Sequence, residues 1–281
     1  MNERKLFCER NKLCYNISLR KEYLLRDIKT LTSGNKYCSL ISGEKLPNIV
    51  KGHRSTLIRR LHGVDLRLQY NKVTNLTLAS RQINGIVIKS GETFSFWRLV
   101  GSTTAKKGYL EGLTLTKGRS SSGVGGGLCQ LANMVHWLVL NSPLEVTEIH
   151  HHTDAIFPDE QRRVPFGTGT AVFYKNVDYQ FKNTSDQDVQ LLVWLDETDL
   201  CGELRSERPF PCRYRIVEEN HHFRKEGDDY FRVSQVYRLT IDRETGEEIA
   251  KELVLDNHSR VMYDHSLIPR EQIRTEDEYV H

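Results

Sequence analysis

The chain has 281 residues, of which 38% are hydrophobic, and its 40 Lys and Arg nearly balance 37 Asp and Glu for a net charge of +3. That length supplies one large domain or two small ones with a proper core. The balanced charge, with no basic run interleaved with aromatics, points away from a nucleic-acid partner. The longest strongly apolar run, Leu191 to Leu195, is far too short for a membrane span.

The segment from Met1 to Lys29 is charged throughout and has no apolar h-region or small-residue cleavage site, so a cytoplasmic location is expected. Cysteines at positions 8, 14, 38, 129, 201 and 212 lack the CxxC spacing of a zinc site. A reducing compartment keeps them as thiols, and neither a metal nor a cofactor is expected. Nothing in the pattern fixes an oligomeric state.

In chain order, helix-like patterns come first: SLRKEYLLRDIKTLT from Ser18 and RSTLIRRLHG from Arg54, interrupted by Gly and Pro near Ile41 to Pro47. A short helix is predicted from the segment Asn71 to Ala79, with Asn75 as N-cap, Leu76, Ala79 and Ile83 on one face and an end near Asn84-Gly85. A strand follows at Ile86 to Lys89, then ETFSFWRLVG from Glu92 as a strand or extended loop. The amphipathic helix CQLANMVHWLVL from Cys129 comes next. Beyond it, strand patterns begin at Leu144, Gly169, Tyr179, Asp188, Arg213, Phe231 and Arg260, with DRETG at Asp242 to Gly246 as a hairpin turn. The tail from Arg270 to His281 reads as a linker.

These patterns predict an α+β fold, not alternating βαβ: a Gly-rich loop and a central amphipathic helix packed on a mostly antiparallel sheet. The expected divisions are a helical or irregular cover over residues 1–70, a core over 71–200 and a β-rich C-terminal extension over 201–281.

The chemistry concentrates at SSSGVGGGLCQ, from Ser120 to Gln130. A thiol at a helix N-terminus meets unpaired N–H groups and the positive end of the helix dipole, which tends to lower its pKa. The glycines, notably Gly125, Gly126 and Gly127, can aim backbone amides at an anion, and the Gln130 side chain could add a donor. Against this stands a bland reading of equal weight, in which the glycines permit close packing and Cys129 is a small buried hydrophobe. A dinucleotide loop is disfavoured because GxGxxG spacing is absent.

A nucleophilic cysteine needs a base, usually His. His136 shares the helical face of Cys129 but lies roughly 10 Å along the axis. His150, His151 and His152 end the strand from Leu144, and alternation puts His150 and His152 on the side that can face Cys129. Consecutive histidines in one strand cannot all ligate one ion, so a metal site is not expected. Exposed strand-end histidines also often do nothing.

GETFSFWRLVG (Gly91–Gly101), GGGLCQ (Gly125–Gln130), NMVHW (Asn133–Trp137), TEIHHH (Thr147–His152) and GTGTAVFYKNVDYQFKNTSD (Gly167–Asp186) together resemble the VanW family, in consistent order over about Asn71 to Asp196. That family includes accessory proteins of vancomycin-resistance gene clusters. The resemblance implies a cysteine-dependent acyl transfer of the L,D-transpeptidase type, with Cys129 as nucleophile, Gln130 and Gly125–Gly127 beside it, and His150 and His152 as the histidine motif. The implied partner is a peptidoglycan stem peptide or its precursor.

Three positions depart from the family pattern: Val124 for a common Ser, Ile149 for an Arg before the histidines, and Gly169 where relatives carry an Asp. If that Asp orients the histidine, its absence weakens a triad; Asp154, Asp159 and Glu148 are the candidate replacements. With no export signal, the substrate is a cytoplasmic precursor, or the protein is a noncatalytic binding or accessory module of the cell-wall machinery. A redox-sensing thiol is a third, weaker reading.

Overall fold

The structure is a computed structural model that describes residues 6–59, 65–116, 119–158 and 164–274. Four α-helices and fifteen strands appear among these residues in the order α1 (Lys12–Thr32), β1 (Leu40–Ile41), β2 (Asn48–Thr56), α2 (Leu66–Ile83), β3 (Ile86–Ile88), β4 (Thr93–Ser95), α3 (Phe96–Val100), β5 (Glu111–Thr116), β6 (Arg119–Val124) and α4 (Cys129–Leu140). The remainder is β7 (Glu145–Glu148), β8 (Asp154–Ala155), β9 (Gln180–Lys182), β10 (Val189–Leu195), β11 (Asp199–Ser206), β12 (Cys212–Glu226), β13 (Asp229–Asp242), β14 (Glu248–Val261) and β15 (Ile273–Arg274).

An antiparallel sheet in the order β1-β3-β10-β11-β2 carries the main core. Its strand β10 (VQLLVWL) is nearly continuous in apolar residues because both faces of its first five residues are covered. Helix α4 crosses this sheet at Gly202, where a Cβ would come within 2.9 Å of Met134 Sδ, so the helix can approach only over a glycine. The α+β class, with the central helix on an antiparallel sheet, is as the sequence predicts. β2 lies within residues 1–70 and β11 spans residue 200, so this sheet runs through both expected domain divisions.

A second, three-stranded sheet, β4-β9-β7, stacks Phe94 on Phe181 at 4.8 Å between ring centroids. The long strands β12, β13 and β14 form an antiparallel sheet edged by β15 and β8 in parallel pairing, over a small cluster of Phe166, Phe223, Val261 and Ile268. The predicted turn at Asp242 to Gly246 joins two of them.

Several expectations are corrected. Arg54 to Thr56 end strand β2 instead of forming a helix, and residues 60–63 of that segment lie outside the described residues. Helix α2 starts nine residues earlier than its predicted cap, because the Asp65 carboxylate accepts from Arg67 N–H at 2.8 Å. Asn75 is therefore buried mid-helix, while Leu76, Ala79 and Ile83 do form the inner face.

ETFSFWRLVG splits into β4 and the short α3, capped by Ser95. The predicted strand at Gly169 is an irregular segment closed by a bridge between Phe173 and Val177. RVMY is not a separate strand, since Arg260 and Val261 end β14. The described part of the tail is ordered as a 3-10 turn and β15.

Candidate functional site

The glycine turn is clamped from α2. Asn75 donates to Leu110 O and Gly126 O at 3.0 and 2.9 Å and accepts from Leu110 N–H at 2.8 Å. Its amide thus satisfies a turn that no regular ladder could. Gly127, at φ +94°, lies under the aliphatic stem of Lys72, whose Cγ would overlap any Cβ there. Lys72 is itself buried, donates to Gln69 Oε1 at 2.9 Å, and is lowered by burial, then by Arg59, to about 7.

Cys129 is the first residue of α4, as predicted, and it is half-buried. Its Sγ donates to Val172 O at 3.9 Å, a weak thiol contact. Burial pushes the thiol above its ordinary value and outweighs backbone hydrogen bonding at Val172 and at Cys129 itself. The expected lowering by the helix N-terminus does not prevail, because desolvation of the thiolate is the larger effect.

Two of the three expected anion-binding amides have other partners. Gly125 N–H donates to Leu110 O and Gly126 N–H to Gly123 O. Gln130 reaches away to the end of β2, donating to Ser55 Oγ at 3.0 Å and Thr56 O at 2.9 Å. It ties the helix to the sheet.

The histidines divide differently from the alternation argument, because β7 ends at Glu148 and the three rings follow an irregular backbone. His150 is exposed and pairs through Nε2 with Glu148 Oε1 at 3.3 Å. Partly buried His152 is lowered first by burial and then by His151, with Asp154 acting in the opposite direction. His151 is the ring turned toward α4: its Nδ1–H donates to Gly167 O and Gly169 O at 3.0 and 3.1 Å, and its ring lies 6.5 Å from that of His136.

His136 is buried, shares a 3.1 Å hydrogen bond with the Tyr179 hydroxyl, and is lowered by burial, then by His151, to about 3. Cys129, Asn133 and His136 therefore make a column at i, i+4 and i+7, and Asn133 Oδ1 accepts from Thr170 N–H at 2.7 Å. A Cβ at Gly169 would lie 3.1 Å from the Asn133 amide.

Of the candidate orienting acids, Glu148 is engaged by Arg26 and His150, Asp154 acts on His152 more weakly than burial and His151 do, and Asp159 is outside the described residues. Buried Asp178 escaped the sequence reading altogether. It accepts from Ser95 Oγ at 2.6 Å, Trp97 N–H at 3.0 Å, Gln180 Nε2 at 3.0 Å and Arg26 at 3.1 Å. The GETFSFW and VDYQF motifs are joined through this carboxylate. No group of three or more potential metal ligands is found among the described residues.

A model of the family described as VanW like protein matches residues 71–205. The chain is also 30% identical over 227 residues, 81% of this chain and 82% of the relative, to the vancomycin B-type resistance protein VanW of Enterococcus faecalis (strain ATCC 700802 / V583). The chain belongs to the VanW family. A second relative, the uncharacterized protein YoaR of Bacillus subtilis (strain 168), is 32% identical over 115 residues, 41% of this chain and 36% of that protein. No solved structure matches. The family-model match takes in most of α2, the glycine turn, α4, the histidines and the sheet into β11.

Proposed function

We propose that this VanW-family protein serves glycopeptide resistance by acting on a peptidoglycan stem peptide or its precursor, with Cys129 as the nucleophile of an acyl transfer. The observation that carries the reading is convergence. Val172 of GTGTAV receives the Cys129 thiol, Asn133 of α4 fixes the backbone two residues earlier, and His150 O accepts from Ala171 N–H at 2.7 Å. Motifs far apart in sequence thus surround one half-exposed thiol.

In the proposed reaction Sγ attacks a peptide carbonyl, a C–S bond forms and the C–N bond breaks. The thiol proton leaves with the departing amine; a second amine then attacks the thioester carbonyl, its C–N bond forms as the C–S bond breaks, and its proton returns to Sγ. His151 is the imidazole turned toward α4: its Nδ1–H donates to two carbonyls and its ring lies 6.5 Å from that of His136, which leaves Nε2 as the ring nitrogen with no part in those bonds.

The test is intact-mass measurement after incubation with stem peptides. A covalent adduct on the unsubstituted protein, absent from Cys129→Ala, supports the reading. Absence of any adduct, with resistance retained by Cys129→Ser, would leave the second reading, a noncatalytic binding or accessory module. That alternative is favoured by the thiol being held neutral and by His150 pairing with Glu148.

A further inference from the structure

Helix α1 has no buried residue along its length, yet it carries an ordered apolar stripe. At 100° per residue, Leu13, Ile17, Leu24, Ile28 and Leu31 fall within about 60° of arc on one side. Each of the five is between 47% and 82% exposed. Leu6 and Phe7 in the preceding turn add further exposed apolar surface.

The opposite side holds the helix to the body. Arg26 pairs with Glu148 and Asp178, and Tyr23 lies edge-on to Tyr174 at 5.7 Å. The stripe therefore faces outward from a docked helix.

The charges beside the stripe identify its occupant. Exposed Arg20 and Lys21 bracket it midway, between Ile17 and Leu24. Asp27, on its edge, is neutralised by Lys175, and Glu22 points to the far side of the helix. An apolar strip bordered by unneutralised long cations is matched by an anionic lipid surface, where the leucines enter the acyl boundary and the cations rise to the headgroups. A second copy fits poorly, since self-pairing of the stripe would bring Arg20 and Lys21 of both chains into one seam.

We propose that α1 is an interfacial helix that docks the protein on anionic membrane surface through Leu13, Ile17, Leu24, Ile28 and Leu31. This docking is independent of any chemistry at Cys129.

Flotation of the full chain with vesicles of phosphatidylcholine containing phosphatidylglycerol tests it, with pure phosphatidylcholine vesicles as the neutral arm. The expected result is binding to the anionic vesicles and little to the neutral ones. Leu24→Glu/Ile28→Glu and Arg20→Glu/Lys21→Glu should each lower partitioning by about tenfold or more at an unchanged thermal melt. All four side chains are solvent-exposed, so the fold should tolerate the changes. No flotation of the unsubstituted chain, or equal flotation of all three proteins, overturns the proposal. So does a dimer by light scattering that the Leu24→Glu/Ile28→Glu change dissolves without vesicle binding, which would assign the stripe to a second copy.

Discussion

Arg26 of α1 and Glu148 of β7, 122 residues apart in sequence, meet as a bidentate ion pair at 2.7 and 2.8 Å. The same guanidinium donates to Asp178 at 3.1 Å, and all three side chains are shielded, at 13%, 14% and 4% exposure. This fork fastens the N-terminal helix, which precedes the residues 71–205 matched by the family model, to the strand that leads into the histidines.

Removing one member leaves two buried carboxylates without their cation, which is the expensive way to break such a cluster. Arg26→Ala is expected to lower stability by about 3 kcal/mol, read as a shift of the urea midpoint, with α1 becoming the first site of proteolysis. Burial opposes ionisation of Glu148, but Arg26 overrides it and holds the carboxyl below its usual range. Its contribution is therefore present above the ordinary glutamate pKa and fades as pH falls through the depressed folded value. Arg26→Ala should remove that acid dependence along with the stability.

Cys129 should react late in a pH series. Because burial raises its pKa, alkylation by iodoacetamide is expected to keep climbing through pH 9, with no plateau near neutrality. Peptide mapping after timed quenches reads the rate at Cys129 separately from the other five thiols. A rate already flat at pH 7 would show a stable thiolate and contradict the observed contacts.

The elements that could be read from sequence are those whose burial repeats regularly. Leu76, Ala79 and Ile83 keep helical spacing, and the strands after Cys129 alternate or run apolar, so the α+β class, α4 and the hairpin at Asp242 were legible. Side chains that serve the backbone of a distant segment were not. Asn75 resembles a helix cap because Asn favours caps, but here it satisfies Leu110 and Gly126. Alternation misplaced the histidines because it presumes a strand, and β7 ends before them. Gln130 and the amides of Gly125 and Gly126 looked available only because their partners, Ser55, Thr56, Leu110 and Gly123, are fixed by tertiary structure.

Two buried bases should shape the pH profile of stability. Burial lowers His136 from 6.5 to about 3, so the folded state resists a proton that the unfolded chain accepts. The stability of the neutral ring is complete above pH 6.5 and is lost as pH falls toward 3. Lys72, lowered from 10.5 to about 7, acts likewise at higher pH: its stability is complete above 10.5 and is lost as pH falls to 7. Lys72→Met is expected to flatten the curve between pH 7 and 10 and to raise the urea midpoint at pH 7. The gain should be on the order of 2 kcal/mol, since the methionine keeps the stem and removes the buried amine.

The contact between Gly127 and Lys72 permits a test of how the cysteine loop is held. Alanine at 127 meets two obstacles: a Cβ that overlaps the Lys72 stem, and a φ of +94° that disfavours any side chain. Gly127→Ala alone is expected to cost about 3 kcal/mol, combining overlap with backbone strain. Lys72→Ala removes the stem, so the double variant should be less destabilised than the two single losses summed, by about 1 kcal/mol or more. Strain at φ remains, so the rescue should be partial. Urea unfolding of the four proteins closes the cycle, and strict additivity would show that the Lys72 stem does not restrain the turn that leads into Cys129.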